Sequence, residues 1–515
     1  MMQADRIPVL ISTGQVTQKE EEIFTALDLA SQAANIAIDP IPEVREMIQQ
    51  VWMVNILSHH VGPAPARKLA MRLGITPKTC LTTTIGGSTP QWLVGLAAEQ
   101  IARGETDVVL IAGAEAMHSS RLIRQMHARG EEVPNSAASS SKDGESDVRL
   151  EPDSVIGEDK SGVSDAEAAI GLIAPVHIYA MFESILAAKS DRTYQQHRDE
   201  LAKLLAPFSR VAAGNRFAWF NQARSAAEIG VPSSENRVVC EPYTKLMSAF
   251  LGVDQGAALL VTSLAVAKEL KKQDEIVFIW AASNCNDVWF PLARPDLSVS
   301  PAIKAAGKAV LDAAGISLGD ISFIDLYSCF PSAIQISANA LGIPLHDPRG
   351  LSVTGGLPYF GGPGNNYVTH SIATMAERIR EKGGLGLVTG LGWYITKHSI
   401  GIYGDRPPPR DFSIGDTTAA QAEINATAQP ITMGFLDTGA KDPENIPGAD
   451  ATVIASTVLY DNTSTVTGAP VYARLDDGSH LAATAFADDL PELAGRNLVG
   501  ARIHVEGQPP TYKLL

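Results

Sequence analysis

The sequence predicts an α/β protein, a largely parallel sheet covered by helices on both faces, with a small all-β domain behind it. Three observations carry this expectation. Over the first 405 residues, short apolar runs alternate with longer stretches of helical period. Such alternation is the mark of parallel strands joined by helical crossovers. Beyond residue 416 the helical period stops, and short β-branched runs separated by turn residues take over.

Taken in order, strands are expected at residues 8–12, 51–54, 106–113, 257–262, 276–281, 321–326 and 384–389. Amphipathic helices are expected at 20–36, 64–73, 90–101, 164–189, 194–215, 301–314, 332–341 and 367–381. In the helix 90–101, Trp92, Leu93, Leu96, Ala97 and Ile101 recur at helical period, and Pro90 suits its first turn. Residues 119–162 are rich in Ser, Asp, Glu and Gly and read as a long excursion, either a lid or a surface loop. Pro407, Pro408 and Pro409 mark a stiff linker over 406–416. Behind it, runs at 451–460, 470–475, 481–486 and 501–505 read as strands of a domain over 417–515, about the size of a five-stranded barrel. His480 and His504 in that domain read as surface or internally satisfied histidines.

Composition narrows the function classes. A chain of 515 residues with 45% hydrophobic and 19% charged residues is globular and large enough for several domains. A formal charge of −16 argues against non-specific nucleic-acid binding. The four cysteines, Cys80, Cys240, Cys285 and Cys329, are widely spaced with no CxxC, so neither a disulfide framework nor a metal cluster is expected. No apolar run approaches the roughly 18 residues of a membrane span. The N-terminus lacks the longer apolar core and cleavage site of a secretory signal, so a cytoplasmic protein is expected.

Four segments each join a strand to a glycine turn or a helix start, where folds of this type place their sites. In Thr82–Gln91 (TTTIGGSTPQ), Gly86 and Gly87 allow close backbone approach, and a helix opens near Ser88, presenting free N–H groups. A capped helix after a tight turn explains the same pattern. Ser322–Pro331 (SFIDLYSCFP) sets Asp325, Tyr327, Ser328 and Cys329 at a strand end; a buried cysteine beside a packed tyrosine is the structural alternative. Leu351–His370 (LSVTGGLPYFGGPGNNYVTH) carries repeated glycines directly before a helix, as a chain passing close to a ligand or as a string of tight turns. Gly386–Tyr403 (GLVTGLGWYITKHSIGIY) runs as a strand into a glycine turn and then a second strand with Lys397 and His398, or is a hairpin with that pair pointing outward.

In this order and at these separations the four segments resemble the thiolase superfamily, in particular its sterol-carrier-protein and lipid-transfer branch. Asp107–Met117 (DVVLIAGAEAM) and 242–270 are similar to further stretches of the family, and the resemblance covers about residues 5–405. It implies a five-layer αβαβα sandwich of two similar halves, residues 1–265 and 270–405, with the site between them. It also implies an acyl-CoA thioester as substrate, no permanently bound cofactor, and carbon–carbon bond formation or cleavage through an acyl-cysteine. The family's dimers form through the sheet beside the nucleophile turn. The added C-terminal domain could block that surface, which leaves a homodimer and a monomer both open.

The resemblance also exposes departures. The family's nucleophile turn falls on Gly86, Gly87 and Ser88, so glycine stands at the cysteine. Its activating histidine falls on Gly362, within Gly361-Gly362-Pro363, and the Cys-x-Gly motif of its second cysteine falls near Val388, Thr389 and Gly390, with no cysteine anywhere after Cys329. Candidate catalytic residues are therefore Tyr327, Cys329, Tyr359 and His370. Gly86, Gly87, Ser88, Gly361, Gly362 and Gly390 are the candidate substrate-binding positions, and no metal is expected. The expected function is a thiolase-like acyltransferase with replaced catalytic residues. The alternatives are a retro-aldol lyase on a 3-hydroxyacyl-CoA, which some lipid-transfer relatives are, and a CoA- or lipid-binding protein without turnover.

Overall fold

The computed structural model describes residues 4–132, 150–272, 275–435 and 448–515. Its main body is built from two halves of like topology. The first half contributes strands Pro8–Gln18, Gln50–Met53, Thr79–Thr83, Val108–Ala116 and Asp254–Ser263. The second contributes Val277–Asn286, Phe323–Asp325, Leu385–Gly392 and Lys397–Gly404. Counted outward from where the halves meet, each runs first strand, last, penultimate, second. The two first strands join antiparallel through only Val9 opposite Phe278 and Leu10 opposite Val277.

The sheet is mixed, which corrects the expectation of a largely parallel one. Parallel pairing occurs at the flanks, between Gln50–Met53 and both its neighbours and between Phe323–Asp325 and Leu385–Gly392. The middle is antiparallel, because the last strand of each half returns against its predecessor. Leu385–Gly392 and Lys397–Gly404 are separated by a tight turn, and a connection that short closes only an antiparallel pair. An apolar run such as 257–262 does not carry its own direction.

Two helices, Thr89–Arg103 and Tyr367–Lys382, lie between the halves and touch strands of both. Ala26–Ile38 with Pro65–Leu73 covers the outer face of the first half, and Pro301–Ala314 with Pro331–Leu341 that of the second. The result is the five-layer αβαβα sandwich. The first helix starts later than its apolar period suggested. Thr25 and Asp28 form a capping box there, the Thr25 side chain accepting from Asp28 N at 3.1 Å and Asp28 accepting from Thr25 N at 2.7 Å. The single helix expected over 164–189 is two, Asp165–Ala169 and Pro175–Lys189, broken where Gly171 takes φ +71 and Pro175 opens the next turn.

The excursion over 119–162 also holds regular structure. Helix Met117–Arg129 ends at Gly130 in the left-handed conformation. Strand Ser154–Ile156 pairs parallel with the edge strand Thr79–Thr83. The rest of the Ser-rich stretch, 133–149, lies outside the described residues. Within the proline-marked linker, Ile414–Gly415 adds a short strand to Val277–Asn286. The following stretch, read as the start of the all-β domain, instead forms helix Thr418–Ala426, whose Gln421 Nε2 donates to Asn286 O at 2.8 Å and binds it to the main body.

The C-terminal strands Gly448–Ser456, Pro470–Leu475, His480–Ala485, Arg502–Glu506 and Thr511–Leu514 close into a five-stranded barrel. Val453, Val471, Leu481, Ile503, Val505 and Tyr512 fill its interior. It docks on the first half through several hydrogen bonds. Ser456 N donates to Ser184 Oγ at 3.1 Å, Asn497 Nδ2 to Ser184 O at 2.8 Å and Tyr472 Oη to Glu167 Oε1 at 2.5 Å. His480 Nδ1 lies 2.8 Å from Leu292 O, a buried and satisfied histidine as its sequence context suggested, and the exposed His504 sits 2.9 Å from Asp450.

Candidate active site

The four segments singled out in the sequence converge between the halves. The turn before helix Thr89–Arg103 is tied to the glycine-rich segment by Gly86 N, which donates to Asn365 Oδ1 at 2.9 Å. Asn365 Nδ2 in turn donates to Asn55 O at 3.1 Å. The strand end at Tyr327 is tied to the last segment by its own N–H, which donates to Thr389 Oγ1 at 2.8 Å. Space at the centre is scarce. A Cβ placed on Gly87 would lie 2.4 Å from Tyr327 Oη and 2.5 Å from Leu391 O. One placed on Gly390 would lie 3.0 Å from Ser88 Cα. The cavity left between Tyr327, Thr389, Gly390 and His398 is about 10 Å3, at most the room of one water.

Cys329 is buried, and burial pushes its thiol up to about 12; its neighbour is the Tyr179 phenol. Cys80, inside strand Thr79–Thr83, is pushed up to about 11 by burial and then by Asp153. Neither is a thiolate near neutral pH, and the thiolate is the nucleophile. Tyr327 is buried and its phenol is held in the protonated form by desolvation, with Cys329 a lesser cause. Tyr359 is also buried, its hydroxyl has no partner among the described residues, and the charge it senses is Arg224. The Tyr359 hydroxyl therefore makes no hydrogen bond to Tyr327 among the described residues. Tyr327 instead meets Tyr367 edge to face, with ring centroids 5.7 Å apart.

Tyr367 was missed by the sequence reading; its signal was its place at the helix start directly after the glycine-rich segment. Its hydroxyl faces Asp325 and Ser328, and desolvation raises its pKa well above the ordinary tyrosine value. Asp325 Oδ2 accepts from Ser352 Oγ at 3.0 Å, Val353 N at 2.9 Å, Thr354 N at 3.0 Å and Thr354 Oγ1 at 2.7 Å. Its Oδ1 has no partner, and burial raises the carboxyl's pKa despite those donors.

His370 sits on helix Tyr367–Lys382, fully buried, with Nδ1 2.9 Å from Gln15 Oε1 and Nε2 unpartnered. Desolvation pushes it down to about 3, so it stays neutral at physiological pH. Gly361 has φ +109, and a Cβ there would lie 2.6 Å from Gln255 Oε1. Gly362, where the resemblance puts a histidine, is less confined: its nearest neighbour would be Leu251 Cδ2 at 3.3 Å. His398 Nε2 lies 3.1 Å from Asp287 Oδ2. Burial alone would raise Asp287, but the hydrogen bond and charge of His398, with Arg294 and Ser300, outweigh it and hold the carboxyl below its ordinary value. Glu115, near the end of strand Val108–Ala116, accepts from Leu57 N at 2.9 Å and Ser58 N at 2.7 Å, yet burial pushes it up to about 7.

This arrangement offers phenolic hydrogen-bond donors and backbone N–H groups at a helix start, with no thiolate. Among the described residues no group of histidine, cysteine or carboxylate side chains is placed to hold a metal ion, and no helix is long and apolar enough to cross a membrane.

A layered sandwich of two repeated halves, with glycine turns from each meeting at the start of a central helix, defines the thiolase class of protein. The Thiolase, N-terminal domain family matches residues 3–157. A monomeric SCP2-thiolase like protein type 1 from Mycobacterium smegmatis superposes with a TM-score of 0.81 at 30% identity, covering 99% of this chain and 100% of that one. The chain belongs to the thiolase superfamily, related to its sterol-carrier-protein thiolase-like branch. Acetyl-CoA acetyltransferase of Candida albicans is 24% identical over 373 residues, 70% of this chain and 87% of that protein. The Ltp2-ChsH2(DUF35) aldolase shares the fold, with a TM-score of 0.56 at 18% identity over 78% of this chain and 99% of that one.

Proposed function

We propose that this protein acts on acyl-CoA thioesters, making or breaking a carbon–carbon bond without an acyl-cysteine intermediate. The observation that carries the reading is at the helix start. Gly86, Gly87 and Ser88 stand where the family's nucleophile turn falls, and the Tyr327 hydroxyl fills the space a side chain at position 87 would take. A phenol kept protonated by burial is suited to donate a hydrogen bond to a thioester oxygen as negative charge develops there. In a retro-aldol cleavage of a 3-hydroxyacyl-CoA, the bond between the second and third acyl carbons breaks. The hydroxyl gives up its proton as its carbon leaves as a ketone or aldehyde, the thioester enolate is stabilised by that donor, and a proton is returned to the second acyl carbon to give the shortened acyl-CoA. The acetyltransferase relatives support the CoA thioester, and the aldolase neighbour supports the lyase form of the chemistry.

A second reading, acyl-CoA or lipid binding without turnover, is favoured by how tightly Ser88 packs on Gly390. The test is a mass-spectrometric screen of 3-oxoacyl-CoAs with free CoA and branched 3-hydroxyacyl-CoAs without it. Cleavage that needs no added CoA is expected. Chain shortening that requires free CoA would overturn the proposal, and silence across the panel, with acyl-CoA still bound, would leave the binding reading standing in its place. The Tyr327→Phe variant should lose about 100-fold or more in turnover while acyl-CoA affinity, measured by calorimetry, is unchanged.

A further inference from the structure

Beside the glycine turn lies a second cavity of about 230 Å3, walled by Thr84, Ser88, Asn284, Asn286, Lys397 and Ser399. An apolar cavity of about 150 Å3 holds a benzene molecule, so this one has room for a small organic compound. Its chemistry centres on one amine. A Cβ on Gly86 would lie 2.6 Å from Lys397 Nζ, so the lysine head group occupies the volume into which a side chain at that helix start would project.

The surroundings of Lys397 shift it away from the ammonium form. Its hydrogen bond goes to a neutral acceptor, Ile85 O, at 2.5 Å, and no carboxylate pairs with it among the described residues. Desolvation lowers its pKa, opposed by the charge of Glu158, an exposed residue on the cavity rim. The positive end of helix Thr89–Arg103 acts in the same direction as desolvation. His398, also on the wall, turns its Nε2 toward Asp287 rather than toward the amine. Ser88 Oγ makes no hydrogen bond among the described residues and is free to hold an oxygen. A lysine desolvated beside a positive group is how proteins prepare an amine for attack on carbonyl carbon.

We propose that Lys397 is a nucleophilic amine and that this cavity binds a small aldehyde or ketone as a lysine imine. Nζ forms a bond to the carbonyl carbon, giving a carbinolamine. The carbon–oxygen bond then breaks, the oxygen leaves as water with the two protons of the amine, and a C=N bond remains. The inference does not rest on the acyl-CoA reading, because a thioester does not form such an imine and the turnover screen would not register one.

The test uses the full chain incubated at neutral pH with propanal or acetone and sodium cyanoborohydride, which reduces an imine to a stable secondary amine, followed by peptide mapping. Lys397 is expected to be alkylated roughly tenfold faster than the exposed Lys268 and Lys308, with a reactivity midpoint at lower pH than theirs. Lys397→Arg keeps the charge and should abolish labelling at this site. If that variant does not fold, the pH profile of the unaltered protein decides alone. Alkylation of Lys397 no faster than of the exposed lysines would overturn the proposal. So would a Lys397 that resists propanal while inorganic phosphate or acetate binds in its place, which would mark an anion site.

Discussion

At Gly87 the fit between two segments of the site is tight enough to be measured. A methyl group there meets both a hydroxyl and a backbone carbonyl. Gly87→Ala should destabilise the fold by about 1–3 kcal/mol, as overpacking does. Removing the obstructing oxygen with Tyr327→Phe in the same chain should recover part of that loss, since the Leu391 carbonyl stays. A urea double-mutant cycle reads the coupling, and strict additivity would show that Tyr327 Oη does not hold this space. His370 gives a pH-dependent consequence. Its folded pKa of about 3 lies below its unfolded value, so as pH falls below about 6.5 the unfolded chain gains a proton that the folded chain refuses. Stability contributed by its neutrality is therefore lost between about pH 6.5 and 3. Glu115, pushed up to about 7, acts in the opposite sense between about 7 and 4.5. The comparison should thus be made between wild type and His370→Phe. The variant should lose less stability on acidification, and identical acid curves would exclude the histidine as the cause.

Among the elements, the short strand Ser154–Ile156 has an effect out of proportion to its length. It pairs Leu81, Thr82 and Thr83 along the edge of the first half's sheet. The barrel docks on the helix Pro175–Lys189 and its surroundings. By its pairing Ser154–Ile156 becomes the edge itself, and so short an edge strand offers a second copy little ladder to pair with. The protein should sediment as a monomer. Val155→Pro, which removes a backbone donor from the covering strand, should shift it toward concentration-dependent association. A dimer in the unaltered protein at micromolar concentration would show that the edge strand does not protect. The strand was illegible in the sequence because three residues within a serine- and acid-rich stretch carry no period of their own; the neighbour supplies the order.

For the whole molecule, the sandwich and the barrel were both readable because their elements are long or regularly spaced. The helix Thr89–Arg103 was visible from Trp92, Leu93 and Ile101, and the barrel from β-branched runs between turns. Strand direction was not readable for a run such as 257–262, which looks alike whether it runs with its neighbours or opposes them. At the site, the convergence of four segments was legible from glycine turns at strand ends. The meeting of Tyr327 with Tyr367 was not, because it depends on contacts between residues 40 positions apart in the chain. The barrel's attachment is testable at this scale. Tyr472→Phe leaves Glu167 with one donor fewer in a buried place and should cost about 1–3 kcal/mol, seen as an earlier thermal transition; an unchanged transition would mean the bond contributes nothing to docking. The barrel is also joined to the body by the chain itself, and a covalent tether changes the arithmetic of association. A separate subunit would leave its seat on dilution, whereas a tethered one meets that seat at a local concentration fixed by the linker. Body and barrel therefore stay in one-to-one proportion however scarce the protein becomes, and no free pool of either can compete for the docking face.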